Sequence, residues 1–245
     1  FINKNTIPDS LKSQLLVQGS VVVLDPETGG ILGMIGGRQE PEYQDHFNRS
    51  VQAKRQPGSV FKPLIYLTAL EKGCKTSDCN NCLNKRDGCL PIQKRLNQPL
   101  VFFIDDTIRW NPQNHDGSTG GWVRLREGLK RSLNLISVRI VQELITPIDI
   151  VNNAKKFGIN TIIEPVDAIA LGVSDVTLLD ISSVYSTISN NGIYNKPFGI
   201  NKIEDRHGRL IKKFNNRKYS REVKDESLIY LLRDMMKSVV DESGG

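Results

Sequence analysis

The stretch Arg-Gln-Pro-Gly-Ser-Val-Phe-Lys-Pro over residues 55–63, running straight into an apolar segment, limits what this chain can become more than any other feature. Pro57 and Gly58 close a loop, and Phe61, Leu64, Ile65, Leu67 and Leu70 recur at helical spacing, so a helix is predicted from Ser59 to about residue 73. Pro63 is tolerated because it falls where few i to i−4 bonds exist to lose. Ser59 stands at the helix start. There the first-turn N–H groups lack intrahelical partners and the macrodipole is positive, so an oxyanion forming beside its hydroxyl would be stabilised. Lys62, three residues on, shares the same helix face. The plainer reading is an N-cap serine beside a solvated lysine. Against it, Ser59 is the only serine of the chain with Lys at +3, and the helix is too apolar to be solvated.

With 245 residues and 38% hydrophobic content the chain can bury one sizeable core, as one domain or one domain with an appendage. It opens on Phe1, and no apolar run approaches the roughly 18 residues of a membrane span. We therefore expect a piece of a longer protein, with residues 1–17 a linker and 18–245 the domain. The net charge of +6 comes from basic residues scattered among acidic ones and not interleaved with aromatics, which argues against a nucleic-acid partner. A mildly basic surface also suits work close to anionic lipid or cell-wall polymer.

All four cysteines, Cys74, Cys79, Cys82 and Cys89, fall in one segment. Outside the cytoplasm they would form two disulfides, and inside it they would more readily hold zinc. Two β-branched runs, residues 20–25 and 31–35, flank turn residues and predict a hairpin of central strands. No phosphate-binding glycine pattern follows them. Residues 110–122 read as irregular, turn-rich backbone. From Leu125, the positions Leu129, Leu133, Ile136, Ile140 and Leu144 step by three or four, which is helical. Ser132 and Asn134 sit inside that pattern. On a continuous helix they would point apart, so both can face one site only if the helix breaks between them. Further helices are predicted over 148–157, 178–188 and 227–240, with a small hairpin over 201–211. His46, His115 and His207 all fall in loops, and nothing points to a Ser-His-Asp triad.

Ser59-x-x-Lys62 and Ser132-Leu-Asn134 resemble the first two signatures of the penicillin-binding proteins, a motif set shared with the class A β-lactamases. The flanking residues 48–63, 125–134 and 170–177 (Ala-Leu-Gly-Val-Ser-Asp-Val-Thr) narrow the resemblance to the transpeptidase domain of the class A, bifunctional members. It runs from about Gln18 to the end of the chain.

The resemblance implies an α+β fold, the penicillin-binding and serine β-lactamase-like one, with an antiparallel sheet flanked by helices and a helical subdomain. It implies a peptidoglycan D,D-transpeptidase that needs no cofactor and is acylated by β-lactams. The activity would cross-link stem peptides from a D-Ala-D-Ala donor to an amine acceptor through an acyl-serine. Ser59 would be the nucleophile. Lys62 would accept its proton, which requires its pKa to fall by roughly 2 to 3 units through desolvation and nearby positive charge. Ser132 would relay protons, and Asn134 would bind the substrate amide. The family's third signature, Lys-Thr/Ser-Gly, does not occur in the chain. We therefore expect a fold truncated before its last strands, a hairpin at 20–35 with an uncovered edge and apolar face, and poor stability in isolation. Residues 74–99 would be a Cys-rich insertion. Because the family works at the outer face of the bacterial cytoplasmic membrane, two disulfides are then favoured over zinc. A membrane anchor and a preceding glycosyltransferase domain are also implied. The rival readings are a β-lactam-binding sensor or scaffold and a serine β-lactamase, which would need a deacylating base that the chain does not offer after Asn134.

Overall fold

A computed structural model describes residues 17–38, 46–72, 91–104 and 108–241. The four cysteines, and residues 1–16 of the expected linker, lie outside them. The β-branched runs form the expected antiparallel hairpin, β1 (Val21–Leu24) and β2 (Ile31–Ile35), with Val21 opposite Ile35 and Val23 opposite Gly33. Asp25 closes its turn by accepting from the Thr28 hydroxyl and the Glu27 N–H, and Gly29 supplies the left-handed residue at φ 79°. Val21, Val23 and Ile35 share one face of this ribbon and are 52%, 48% and 59% exposed. The expected uncovered apolar face is therefore present among the described residues.

The core is built around α1 (Lys62–Lys72), buried continuously from Lys62 to Leu70. A helix that is apolar on every side has to be surrounded, and four helices surround this one. They are α2 (Leu125–Lys130), α3 (Asn134–Glu143), α4 (Pro147–Lys156) and α6 (Glu226–Asp241). α5 (Leu178–Ser189) packs against β1. α4 and α5 each begin with a reciprocal cap, Thr146 with Asp149 and Thr177 with Asp180, which fixes where each helix starts and contributes about 1 kcal/mol.

Four further two-stranded antiparallel ribbons lie around this bundle. They pair β3 (Lys94–Leu96) with β6 (Trp122–Arg124), β4 (Phe102–Ile104) with β5 (Ile108–Trp110), β7 (Ile193–Tyr194) with β10 (Arg221–Glu222), and β8 (Lys202–Glu204) with β9 (Leu210–Lys213). Of the expected insertion, the part from residue 91 is built into the body. The Pro91 and Gln93 carbonyls accept the first N–H groups of α2, from Arg126 and Leu125, and Asn97 is buried. The break that a shared site for Ser132 and Asn134 requires is present. Apolar spacing over 125–144 suggests a single helix, whereas the chain turns sharply between Lys130 and Asn134.

Candidate active site

Ser59 lies in a 3-10 turn, Gly58–Phe61, that leads into α1, and not in the first turn of the α-helix itself. The Lys62 N–H donates to the Ser59 carbonyl, which locks the i,i+3 relation of the two residues. The Ser59 N–H takes no backbone acceptor among the described residues. The third resembling segment, residues 170–177, holds this turn from outside. The Gly58 N–H donates to the Gly172 carbonyl at 3.1 Å, and Arg55 and Val176 exchange both backbone hydrogen bonds at 3.0 and 2.9 Å. Gly172 follows a 3-10 turn, Asp167–Leu171, and has φ 67°; a Cβ added there would lie 2.3 Å from the Gly58 carbonyl oxygen. Only glycine permits that approach. From the opposite side the Tyr185 hydroxyl donates to the Val60 carbonyl at 3.0 Å. An open groove of about 530 Å³ runs from Val60 between β1 and α5, lined by Val22, Leu24, Ile181 and Tyr185.

Lys62 is 1% exposed, and its amine is not left without partners. Nζ donates to the Ser132 carbonyl at 2.6 Å, to Ser132 Oγ at 3.1 Å and to Asn134 Oδ1 at 2.8 Å. Three acceptors match the three N–H bonds of an ammonium. None of them carries charge, so they offset the desolvation of the cation only in part, and burial pushes the Lys62 pKa down to about 8. The expected depression is there, but burial causes it, with no contribution from a neighbouring positive group.

The break in the 125–144 helix makes this cluster possible. α2 ends in a Schellman arrangement, with the Ser132 N–H on the Leu129 carbonyl at 3.0 Å and the Leu133 N–H on the Gly128 carbonyl at 2.8 Å. Ser132 takes the left-handed position, φ 53°, that glycine usually fills. Leu133 is buried and leads into α3. The elbow turns Ser132 and Asn134, which a continuous helix would separate, toward one amine. It can sit this close to its surroundings because Gly128 has no side chain: a Cβ there would meet Ile136 Cγ2 at 2.6 Å.

A loop that the sequence marks only as irregular fixes the Asn134 amide. Asn134 Nδ2 donates to the Gln113 carbonyl at 2.9 Å, so its oxygen must face Lys62. Asn114 accepts from the Leu135 N–H at 3.0 Å and donates to Asn97 Oδ1 at 2.8 Å and to the Ser118 carbonyl at 2.8 Å. Gln113, Asn114 and Asn97 are thus supporting residues that sequence reasoning missed. Their signal was the Gly120-Gly121 pair, whose positive φ values let the backbone fold back on Asn97.

The four predicted site residues therefore fall in one region, in two layers. Lys62 is the buried floor, Asn134 is half-buried, and Ser59 and Ser132 are exposed. The Ser59 hydroxyl makes no hydrogen bond among the described residues, so the amine's partners here are Ser132 and Asn134 and not Ser59. His46, His115 and His207 are exposed, and among the described residues no cluster of metal-ligating side chains occurs.

Comparison with known proteins agrees with this geometry. The sequence profile of the penicillin binding protein transpeptidase domain matches residues 19–245. Penicillin-binding protein 1A of Rickettsia felis is 33% identical over 232 residues, covering 93% of this chain and 27% of that protein. The chain spans about a quarter of the length of the curated relatives it matches. The crystal structure of penicillin-binding protein 1A from Haemophilus influenzae superposes with a TM-score of 0.77 at 25% identity, covering 93% of this chain and 36% of that one. The PonA1 protein of Mycobacterium tuberculosis, solved in complex with penicillin V, superposes with a TM-score of 0.73 at 22% identity over 93% of this chain and 57% of its own. A serine at the mouth of a core helix, a desolvated lysine one turn on, a Ser-x-Asn elbow and a profile match over nearly the whole length agree: this chain belongs to the penicillin binding protein transpeptidase domain family.

Proposed function

We propose that this domain is a serine D,D-transpeptidase of peptidoglycan synthesis, and that Ser59, Lys62, Ser132 and Asn134 carry the reaction. The observation behind this reading is the buried Lys62 amine, held among the described residues by Ser132 and Asn134 and pushed by burial down to about 8. A pKa there leaves roughly a tenth of the amine neutral at pH 7, a usable population of base.

The steps follow from the positions. Neutral Lys62 accepts the proton of the Ser59 hydroxyl once that side chain rotates toward it, an adjustment of the kind common between free and substrate-bound sites. Ser59 Oγ attacks the carbonyl carbon of the donor's D-Ala-D-Ala bond. The oxyanion forms beside the Ser59 N–H, which takes no backbone acceptor among the described residues, ahead of the positive end of α1. Ser132, hydrogen-bonded to the Lys62 amine, passes the proton from Lys62 to the leaving nitrogen, and terminal D-Ala departs. The acceptor amine then attacks the acyl-serine, returns its proton along the same path and restores Ser59. Asn134 is oriented by Gln113 and so can present its amide to the donor peptide. A β-lactam would acylate Ser59 likewise, its ring amide opening without loss of a fragment.

In this reading the domain belongs to a membrane-anchored protein with a glycosyltransferase domain ahead of it, working outside the bacterial cytoplasmic membrane. The 1A-type relatives, several times longer than this chain, support that placement. Labelling with a fluorescent penicillin tests the function. The full-length protein that carries this domain should form a stable adduct, Ser59→Ala should abolish it, and hydrolysis of the adduct should be slow, whereas these 245 residues alone should label weakly at best. An adduct that persists in Ser59→Ala, or turns over rapidly to free penicilloate, would reject the assignment.

A further inference from the structure

We propose that the β8–β9 hairpin is a docking arm for an anionic lipid surface. Although basic and acidic residues are interspersed along the chain as a whole, the excess of positive charge is not evenly spread: residues 201–213 hold five Lys and Arg against two acidic side chains, Glu204 and Asp205, and Arg217, Lys218 and Arg221 follow the arm with no acid among them. Both acids are consumed within the arm. Glu204 pairs with Lys202 at 2.7 Å, and Asp205 accepts from the His207 and Arg209 N–H groups and pairs with the Arg209 side chain at 3.4 Å. The outward field of the arm is therefore positive.

Nothing about stability accounts for this arm. Every residue from 201 to 213 except Asp205 is exposed, and among the described residues the two strands pair only with each other. A lone hairpin that buries no core is marginal in water. Lys202 and Lys213 stand directly opposite one another, and Glu204 offsets the charge of Lys202 but not that of Lys213 as well. Edge lysines deter strand-to-strand aggregation, but that role does not explain the aliphatic side chains set among them. Ile203, Leu210 and Ile211 are 42%, 52% and 64% exposed, and Ile200 and Tyr219 at the base of the arm are 58% and 54% exposed.

Cations and protruding aliphatics without a shaped pocket fit a bilayer interface, which accepts both at once: headgroup phosphates take the Lys and Arg charges, and the acyl boundary takes the Ile and Leu side chains. An acidic polymer would use the cations and leave the aliphatic groups in water. The inference does not depend on the transpeptidase assignment, because none of these residues belongs to the active site.

Vesicle co-sedimentation decides it. The protein should sediment with equimolar phosphatidylglycerol and phosphatidylcholine and stay in solution with phosphatidylcholine alone. Lys212→Gln with Lys213→Gln should weaken partitioning about thirtyfold, near fivefold per cation. Ile211→Ser, which leaves the charge unchanged, should weaken it about tenfold. All three positions are exposed, so thermal unfolding should not move, and trypsin cleavage within residues 206–213 should slow when phosphatidylglycerol vesicles are present. Failure to sediment with phosphatidylglycerol would overturn the proposal, as would sedimentation indifferent to these substitutions. Loss with the lysine changes but not with Ile211→Ser, with polyglutamate competing as well as vesicles do, would assign the arm to an acidic polymer instead.

Discussion

The Asn134 amide bridges two groups that fix its direction: its Oδ1 lies 2.8 Å from Lys62 Nζ while its Nδ2 lies 2.9 Å from the Gln113 carbonyl oxygen. The buried lysine is thus satisfied by dipoles held by other parts of the chain, and among the described residues by no carboxylate. Dipoles meet its hydrogen-bonding demand without returning the full energy of its lost hydration, which is why it is a weak acid poised near neutrality.

The Lys62 value sets two pH dependences. Acylation of Ser59 by a β-lactam should rise about tenfold per pH unit below pH 8 and level off above it, in stopped-flow or gel-based labelling. Stability should follow the same group. Between about 8 and its ordinary 10.5 the folded chain binds fewer protons at Lys62 than the unfolded chain, so stability increases as pH rises through that window. Below it the full penalty for burying the cation, about 3 kcal/mol, stands. Lys62→Met should flatten that part of the denaturant-measured stability profile and abolish acylation.

Asn134→Asp should place a carboxylate where the neutral oxygen now accepts from Lys62. An opposite charge at that distance favours the ammonium, so the inflection in acylation rate should move above 8 and labelling at pH 7 should slow. An unshifted inflection would show that Lys62 is not the titrating base.

The left-handed Ser132 separates strain from chemistry. Ser132→Gly and Ser132→Ala both lose the hydroxyl that contacts Lys62, but only glycine is relaxed at φ 53°. The glycine variant should therefore be about 1 kcal/mol more stable than the alanine variant in urea titrations. Both should transfer acyl groups at least tenfold more slowly than the parent.

Gly172→Ala should act on the nucleophile without touching it. Its Cβ would lie 2.3 Å from the Gly58 carbonyl oxygen at a backbone angle unsuited to alanine, so the turn carrying Ser59 must shift. We expect a loss of about 2 kcal/mol in stability and a drop in acylation rate of about a hundredfold, larger than the stability loss alone would produce while the protein remains folded.

Much of this architecture was readable in advance because it is local. Helical spacing after Pro57 and Gly58, a lysine inside it and the β-branched runs around a turn each arise from neighbours a few residues apart. The elbow at Ser132 is required by a shared site for Ser132 and Asn134, but the apolar period does not show it. Leu125, Leu129, Leu133, Ile136 and Ile140 continue the same period across it, and no glycine or proline marks the break. The contacts that choose the break are the Lys62 bonds to Ser132 and Asn134, which join residues 70 and 72 positions apart, and the close approach of Gly128 to Ile136.

By itself, then, the sequence determined that a serine and a lysine would share the mouth of a core helix. Tertiary structure alone decided that the amine would be dry, which acceptors it would have and where its pKa would settle. Periodicity records which side chains are apolar, but the free energy of a buried charge depends on everything packed around it.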